Sequence, residues 1–305
     1  MRKLIVGGLV AALALTACSN DGSEPAENGT PDDTGVVTDR SYDVSGVEKV
    51  DEIAAMLPEA VAEKGTLVIG AAIDYAPAEF RADDLQTAIG YDVDLGKALG
   101  NVLGLESEVS AAEFASLLPG IGTQYDVGIS SFTITEERTA SYNMVAYIQV
   151  GSSYAVKTGN PDGFDPDAIC GQTIAVQNGT WQHEDLDAKS AECTEAGEEA
   201  VDVMVYGSQS DVTTNVIGSR AIAFYADSTV ADYSVAMTND QLEVVGGIRD
   251  SEPQGIVVPQ DDEELTLAMQ AAMQHLMDDG TWEAILESWG PADAALTTAD
   301  IYPQS

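Results

Sequence analysis

Within DVGISSFTITEER (Asp126–Arg138) a single arginine follows a run of hydroxyl residues, Ser130, Ser131, Thr133 and Thr135. The chain has only 12 Lys and Arg against 52 Asp and Glu, so each cation asks for a reason. The segment reads as a short buried strand, YDVGIS, that turns into a helix near Thr135. An arginine in that first turn opposes the helix dipole, which favours anions there. Arg138 therefore either pairs with Glu136 or Glu137 at the surface or converges with backbone N–H groups and hydroxyls on a bound anion. Other chemistries are poorly supplied. The two histidines, His183 and His275, lie far apart with no ligand cluster around them, which argues against a metal site, and no Ser-His-Asp arrangement is visible.

The elements that position Arg138 alternate between strand and helix. GTLVIGAAI is a buried strand. GYDVDLGKALGNVLGLESEV opens as a short strand and becomes a helix with Leu95, Ala98, Leu99, Val102 and Leu103 on one stripe. EFASLLPGIGTQ is a short helix and YDVGIS the next strand. The rhythm restarts at GQTIAVQNGT and continues through AVDVMVY, SQSDVTTNVIGS and RAIAFYADSTVADYSV, the last read as strand, loop and helix. LEVVGG and GIVVP are further strands. EELTLAMQAAMQHLMDD carries Leu265, Ala268, Met269, Ala272, Met273 and Leu276 on one face, stopped by Gly280. TWEAILESWG is a last helix. Such a β-α-β succession calls for a mostly parallel sheet with helices on its faces. Ligands then bind beyond the carboxyl ends of the strands, where DYAPAEF, SSFTITEER, QNGTWQ and YADST lie. Arg138 is in one of these four loops, which favours the anion-binding alternative.

Composition bounds the setting. Residues 1–17 have the layout of a signal peptide: Arg2 and Lys3, an apolar run from Leu4 to Leu15, then small residues before Cys18. Leu15-Thr16-Ala17-Cys18 resembles a lipobox, which predicts lipid on Cys18 and attachment to the outer face of the cell membrane, with an ordinary signal peptide and a chance cysteine as the alternative. The apolar run is too short for an ordinary membrane span. Residues 18–46 are rich in Gly, Pro, Ser and Asp and read as a flexible tether. The formal charge is −40, and loss of Arg2 and Lys3 makes it −42. This excludes a nucleic-acid partner, which needs clustered Lys and Arg, and disfavours adhesion to anionic lipid. Cys170 and Cys193 are the two remaining cysteines, and in an exported chain they suggest one disulfide, with two free thiols as the alternative.

At this point the chain resembles the bacterial extracellular solute-binding proteins of family 3, the polar amino-acid receptors of ABC importers. IGAAIDYAP, GYDVDLGKALGNVLG, FASLLPGIGTQYDVGISSFTITEER, CGQTIAVQNGT, GSRAIAFYADSTVADYSV, QGIVVP and AAMQHLMDDGTWEAILESWG occur in family order over nearly the whole body. The resemblance implies an α/β, two-lobe periplasmic-binding-protein-like fold (type II) whose ligand cleft lies between lobes joined by two crossover strands. It places residues 47–154 with 254–305 in a discontinuous first lobe and residues 155–253 in the second, with crossings near Ser152–Val156 and Glu252–Val257. It also assigns roles. Arg138 matches the residue that grips the ligand carboxylate, a task suited to a guanidinium that donates two parallel bonds. Thr133 and Ser131 match contacts from the same loop, and Thr180 a donor from the second lobe. Asp227 matches the acceptor of the ligand ammonium, with capping of the following helix as its alternative. Tyr75 matches an aromatic packed over the ligand side chain, or else packs on the hinge. Trp181 lines the pocket or covers the lobe, and Gln177 occupies a variable position able to face the side chain.

Two departures bear on specificity. Ala72 replaces an acidic residue of many members, which weakens the case for a cationic side chain because its burial needs a paired anion, and Ala78 replaces an aromatic one, which leaves room for a larger or non-standard side chain. The expected function is a substrate-binding lipoprotein, not an enzyme, that closes on an amino acid or derivative and delivers it to a permease and its ATPase. It needs no cofactor or metal and works as a monomer. The alternatives are a cleft enzyme on the same fold, resembling the dehydratases of cyclic amino acids, and a ligand-sensing lipoprotein.

Overall fold

The computed structural model describes residues 39–303. The expected signal peptide, Cys18 and residues 18–38 of the expected tether lie outside them. The remainder of that tether is not free. The Tyr42 amide donates to Asp94 at 2.8 Å and Asn101 donates to the Val44 carbonyl at 2.9 Å. Tyr42, Val44 and Val47 pack on the main core, so the folded body takes up the chain from Tyr42 rather than Val47. Low hydrophobicity marked the segment as loose, but two apolar side chains and two hydrogen bonds suffice to seat it.

Among the described residues twelve strands form two sheets: β1 Thr66–Ala71, β2 Asp74–Tyr75, β3 Glu79–Arg81, β4 Ala88–Ile89, β5 Glu106–Ala111, β6 Val127–Gly128, β7 Tyr142–Lys157, β8 Thr173–Gln177, β9 Asp202–Tyr206, β10 Ala223–Asp227, β11 Leu242–Pro259 and β12 Ile301–Tyr302. The large sheet runs β5-β1-β6-β11-β7-β10-β8-β9, with β12 added on β7, and β2-β3-β4 make a small antiparallel sheet. Strands β5, β1 and β6 are mutually parallel, as are β10, β8 and β9. All residues of β10 and the last four of β8 are buried, as expected of sheet strands covered on both faces.

The two parallel groups are joined by β7 and β11, which pair antiparallel over nearly their whole length. The first part of β7 lies beside β12, while Ser152–Val156 pairs with β10. Register shifts in β11 fall between Val245 and Arg249 and between Arg249 and Glu252, opposite the crossing point. LEVVGG and GIVVP are therefore one strand rather than two. Gly246 and Gly247, both at positive φ, produce a bulge in the ladder without ending it. Two further boundaries differ from expectation. The helix Tyr91–Leu103 starts directly at Tyr91 rather than opening as a strand. Its N-cap Gly90 has φ 128°, and a Cβ there would meet the Ala78 carbonyl oxygen at 2.1 Å, so only glycine fits. The polar ESEVSA that follows is the edge strand β5, half solvated and hence without an apolar signature.

The helical stripes behave as their periodicity predicts. Leu95, Ala98, Leu99, Val102 and Leu103 are buried, as are the six named residues of Glu263–Asp278. Gly280 separates that helix from Thr281–Trp289. Trp282 donates to the Tyr147 carbonyl at 2.7 Å and Trp289 to Asp94 at 2.9 Å, which fixes the C-terminal helices to the N-terminal half of the sheet. Cys170 and Cys193 form a disulfide across 23 residues, tying the entry to β8 to the helix Trp181–Glu195. Closing a loop of that size stabilises by about 3–4 kcal/mol in the chain-entropy model. Among the described residues no helix is long and apolar enough to cross a membrane.

Candidate ligand-binding site

The ends of β2, β8 and β10 and the loop after β6 converge on one small cavity of about 10 Å³. Its wall contains Tyr75, Ser131, Thr133, Arg138, Gln177, Thr180, Trp181 and Asp227, the eight residues singled out from the sequence. Phe114 and Gln182 complete it, and neither was visible in the sequence. Phe114 looked like one apolar residue of a short helix. Gln182 sits in the first turn after Thr180, where any polar residue is ordinary. Ala72 and Ala78 are fully packed and outside the wall, so the side-chain end of the cavity is formed by other groups. His183 is also outside it; its Nδ1 accepts from the Gly179 amide at 3.3 Å.

Arg138 lies in the helix Glu136–Thr139, and Thr135 caps that helix by accepting from the Arg138 amide. The guanidinium is buried, flanked by Phe114 and Phe132, whose rings stack at 4.9 Å. Nη1 donates to the Thr133 carbonyl at 2.8 Å and Nη2 to the Gly179 carbonyl at 3.2 Å. Burial lowers its pKa, opposed by Glu184, Asp227 and Glu137. Yet neither Glu136 nor Glu137 pairs with it, and among the described residues no carboxylate lies within ion-pair distance. A buried cation without a bound anion is costly.

Asp227 mirrors it. It occupies the N-cap position of the helix Ser228–Met237, which follows β10 without the expected loop, but its carboxylate makes no capping bond. Instead Gln182 donates to Oδ1 and Gln254 to Oδ2, each at 2.7 Å, and the Asp227 amide donates to the Tyr75 hydroxyl at 3.1 Å. Burial raises its pKa to about 6, against the pull of those amides and of Arg138. One wall thus holds a buried cation and a buried anion that do not pair with each other. Thr180 caps the helix Trp181–Glu195 by accepting from the His183 amide, so that helix directs its amino end at the same cavity. Trp181 does both things considered for it, lining the cavity and packing on the cluster that includes Tyr225.

The loop carrying Ser131 is held in a strained shape. Ser131 has φ 49°, unusual for a residue with a side chain. Its amide donates to Asp92 at 2.7 Å, and the Tyr147 hydroxyl donates to the same oxygen at 3.0 Å. Beside Asp92, Glu79 accepts from Ser130. Both carboxyls are fully buried and interact directly, and burial with mutual repulsion holds a proton on the pair well above the usual carboxylate range. A raised folded-state pKa contributes stability below the unfolded value, and that contribution is lost as pH rises. Stability should therefore fall between pH 5 and 8 by up to about 1.4 kcal/mol per unit for one proton. Asp92→Asn, which keeps an acceptor for Ser131 and a donor for Glu79, should flatten that slope in denaturant unfolding series. An unchanged slope would exclude Asp92 as its source.

The geometry now has a lineage. The model of the bacterial extracellular solute-binding proteins, family 3, matches residues 67–292. The chain belongs to this family. It is 33% identical over 302 residues to the arginine-binding protein ArgT of Corynebacterium glutamicum, covering 98% of this chain and 94% of ArgT. It is 28% identical to the L-cystine-binding protein TcyJ of Escherichia coli, covering 76% and 85%. An ancestral arginine-binding protein bound to arginine superposes with a TM-score of 0.68 at 28% identity, covering 74% of this chain and 98% of that one. The fold is accordingly the two-lobe binding-protein architecture with β7 and β11 as its crossover strands, and the role is that of a substrate-binding protein for amino acids.

Proposed function

We propose that the protein captures a free amino acid, or a close derivative, as its zwitterion and presents it to the permease and ATPase of an ABC importer. The carrying observation is the unpaired Arg138 and Asp227 on one buried wall. Arg138 with Ser131, Thr133 and the Thr180 helix end holds the α-carboxylate, and Asp227 holds the α-ammonium. Tyr75 and Trp181 flank the ligand. Residues 42–154 with 254–305 act as one lobe and 155–253 as the other. The bonds Arg138–Gly179, Gln177–Asp74 and Asp227–Tyr75 join the lobes directly, which supports hinge closure as the capture step.

The relatives named above are binding proteins, and the wall offers holding groups rather than a nucleophile paired to a base, so the ligand leaves unchanged. The protein works as a monomer, exported by residues 1–17 and anchored outside the cell by lipid on Cys18. A thermal-shift panel of the standard amino acids with opines, betaines and amino-acid dimers on the body from Tyr42 tests the reading. A ligand at a hundred times its Kd adds about 2.7 kcal/mol, or about 5–10 °C for a body of this size. The absence of any shift across the panel, or recovery of a chemically altered ligand, would overturn it.

A further inference from the structure

Gln177 is buried, and both of its amide hydrogens are used outside the cavity. Nε2 donates to Asp74 Oδ1 at 3.1 Å and lies 3.5 Å from the Gly207 carbonyl oxygen. Neither acceptor belongs to the cavity wall; both line a separate groove with Arg81, Glu113 and Asp211. A backbone carbonyl can only accept. Asp74 is likewise an acceptor at neutral pH, because burial lifts its pKa only to about 6. The amide is therefore fixed in one orientation. Its remaining polar atom, Oε1, is buried and has no donor, while the side chain itself lines the cavity. A buried acceptor left without a donor is unfavourable, and a ligand that supplies one removes the penalty.

Resting on the zwitterion reading above, we propose that Asp74 sets the Gln177 amide so that Oε1 selects ligands whose side chain ends in an N–H or O–H donor. A side chain ending in a carboxylate is excluded by the same oxygen and by the negative charge of Asp74 behind it. An apolar side chain of similar length leaves Oε1 unpaired and binds more weakly. Asp74 belongs to β2 and Gln177 to the end of β8, on opposite sides of the cavity, so the selecting oxygen is set only when the cleft is closed. Asp74 is thus a positioning residue, and Gln177 the residue that touches the ligand.

The probes are arginine, citrulline, glutamine, glutamate and methionine, titrated calorimetrically at pH 7.5. The wild-type protein should bind at least one of the first three more than tenfold tighter than both glutamate and methionine. In Gln177→Leu that margin over methionine should fall to less than threefold, with methionine binding no weaker than before. In Asp74→Ala the margin over glutamate should shrink at least fivefold, because the amide is free to turn and the charge behind it is gone. A purely structural role would weaken all five probes together, and that outcome overturns the inference. So does a margin unchanged in Gln177→Leu while binding persists. Failure of the wild-type protein to bind any of the five probes overturns this inference, and the zwitterion reading falls with it only if the full amino-acid panel also gives no shift.

Discussion

Arg138→Ala should abolish measurable capture of any amino acid that shifts the wild-type protein. Truncating one partner of a buried, hydrogen-bonded charge pair costs about 2–5 kcal/mol, which is about 30-fold to several-thousand-fold in Kd. Two features place Arg138 at the upper end. Its guanidinium is already positioned by Thr133 and Gly179, so no ordering remains to offset the bonds to a carboxylate. It is also the only cationic side chain in the wall, so nothing replaces it. Arg138→Lys should recover only part of the loss, since an ammonium lacks the planar fork. The unligated variant should be no less stable than the wild type, because the substitution removes a buried charge with no counter-ion. Calorimetric titration together with denaturant unfolding checks both halves. Tight binding retained in Arg138→Ala would mean that the ligand anion is held elsewhere.

Why Arg138 was visible in the sequence and Gln254 was not is a matter of contrast. A lone arginine after four hydroxyl residues in a strongly acidic chain stands out against its surroundings. Gln254 lies in SEPQGIVVP, where a glutamine before a buried strand carries no signal, yet it reaches Asp227 across 27 residues of chain. Asp74 is in the same position: one acidic residue among 52, given a role only because folding brings β2 against the end of β8. The alternating elements were legible because strands such as AFYAD open with an unbroken apolar run and the helical stripe from Leu265 to Leu276 is periodic over several turns. Continuity across a bulge is not periodic. Gly246-Gly247 followed by IRDSE has the composition of a turn, and only pairing with β7 reveals that β11 continues through it. Assignment of the residues to roles came from the family resemblance; the periodicity alone gave two successive α/β units and no crossover.

Affinity for the amino acid should fall about tenfold for each pH unit below 6, and Asp227 should be the cause. Its carboxyl titrates near 6 because burial disfavours the charged form. Above that pH the site holds an anion ready for the ligand ammonium. Below it the carboxyl is protonated, and binding must expel that proton before the ion pair can form, so one proton is released per ligand bound. The ligand α-ammonium and Arg138 remain charged throughout this range, and neither contributes to the slope. Titrations in buffers of different ionisation enthalpy should therefore report close to one proton released at pH 5 and almost none at pH 7.5. Asp227→Asn removes the charge while keeping the shape. The new amide can be accommodated because Gln254 Oε1 is buried without a donor and can accept from it after turning. This variant should bind at least about 30-fold more weakly at pH 7.5, the lower end of the cost of a broken buried charge pair. Its affinity should lose most of the pH dependence. Asp74 also titrates near 6, so any slope that survives in Asp227→Asn belongs to it and should vanish when Asp74→Ala is added. If the full tenfold slope persists in the double variant, Asp227 does not meet the ligand, and the cationic end of the zwitterion lies elsewhere.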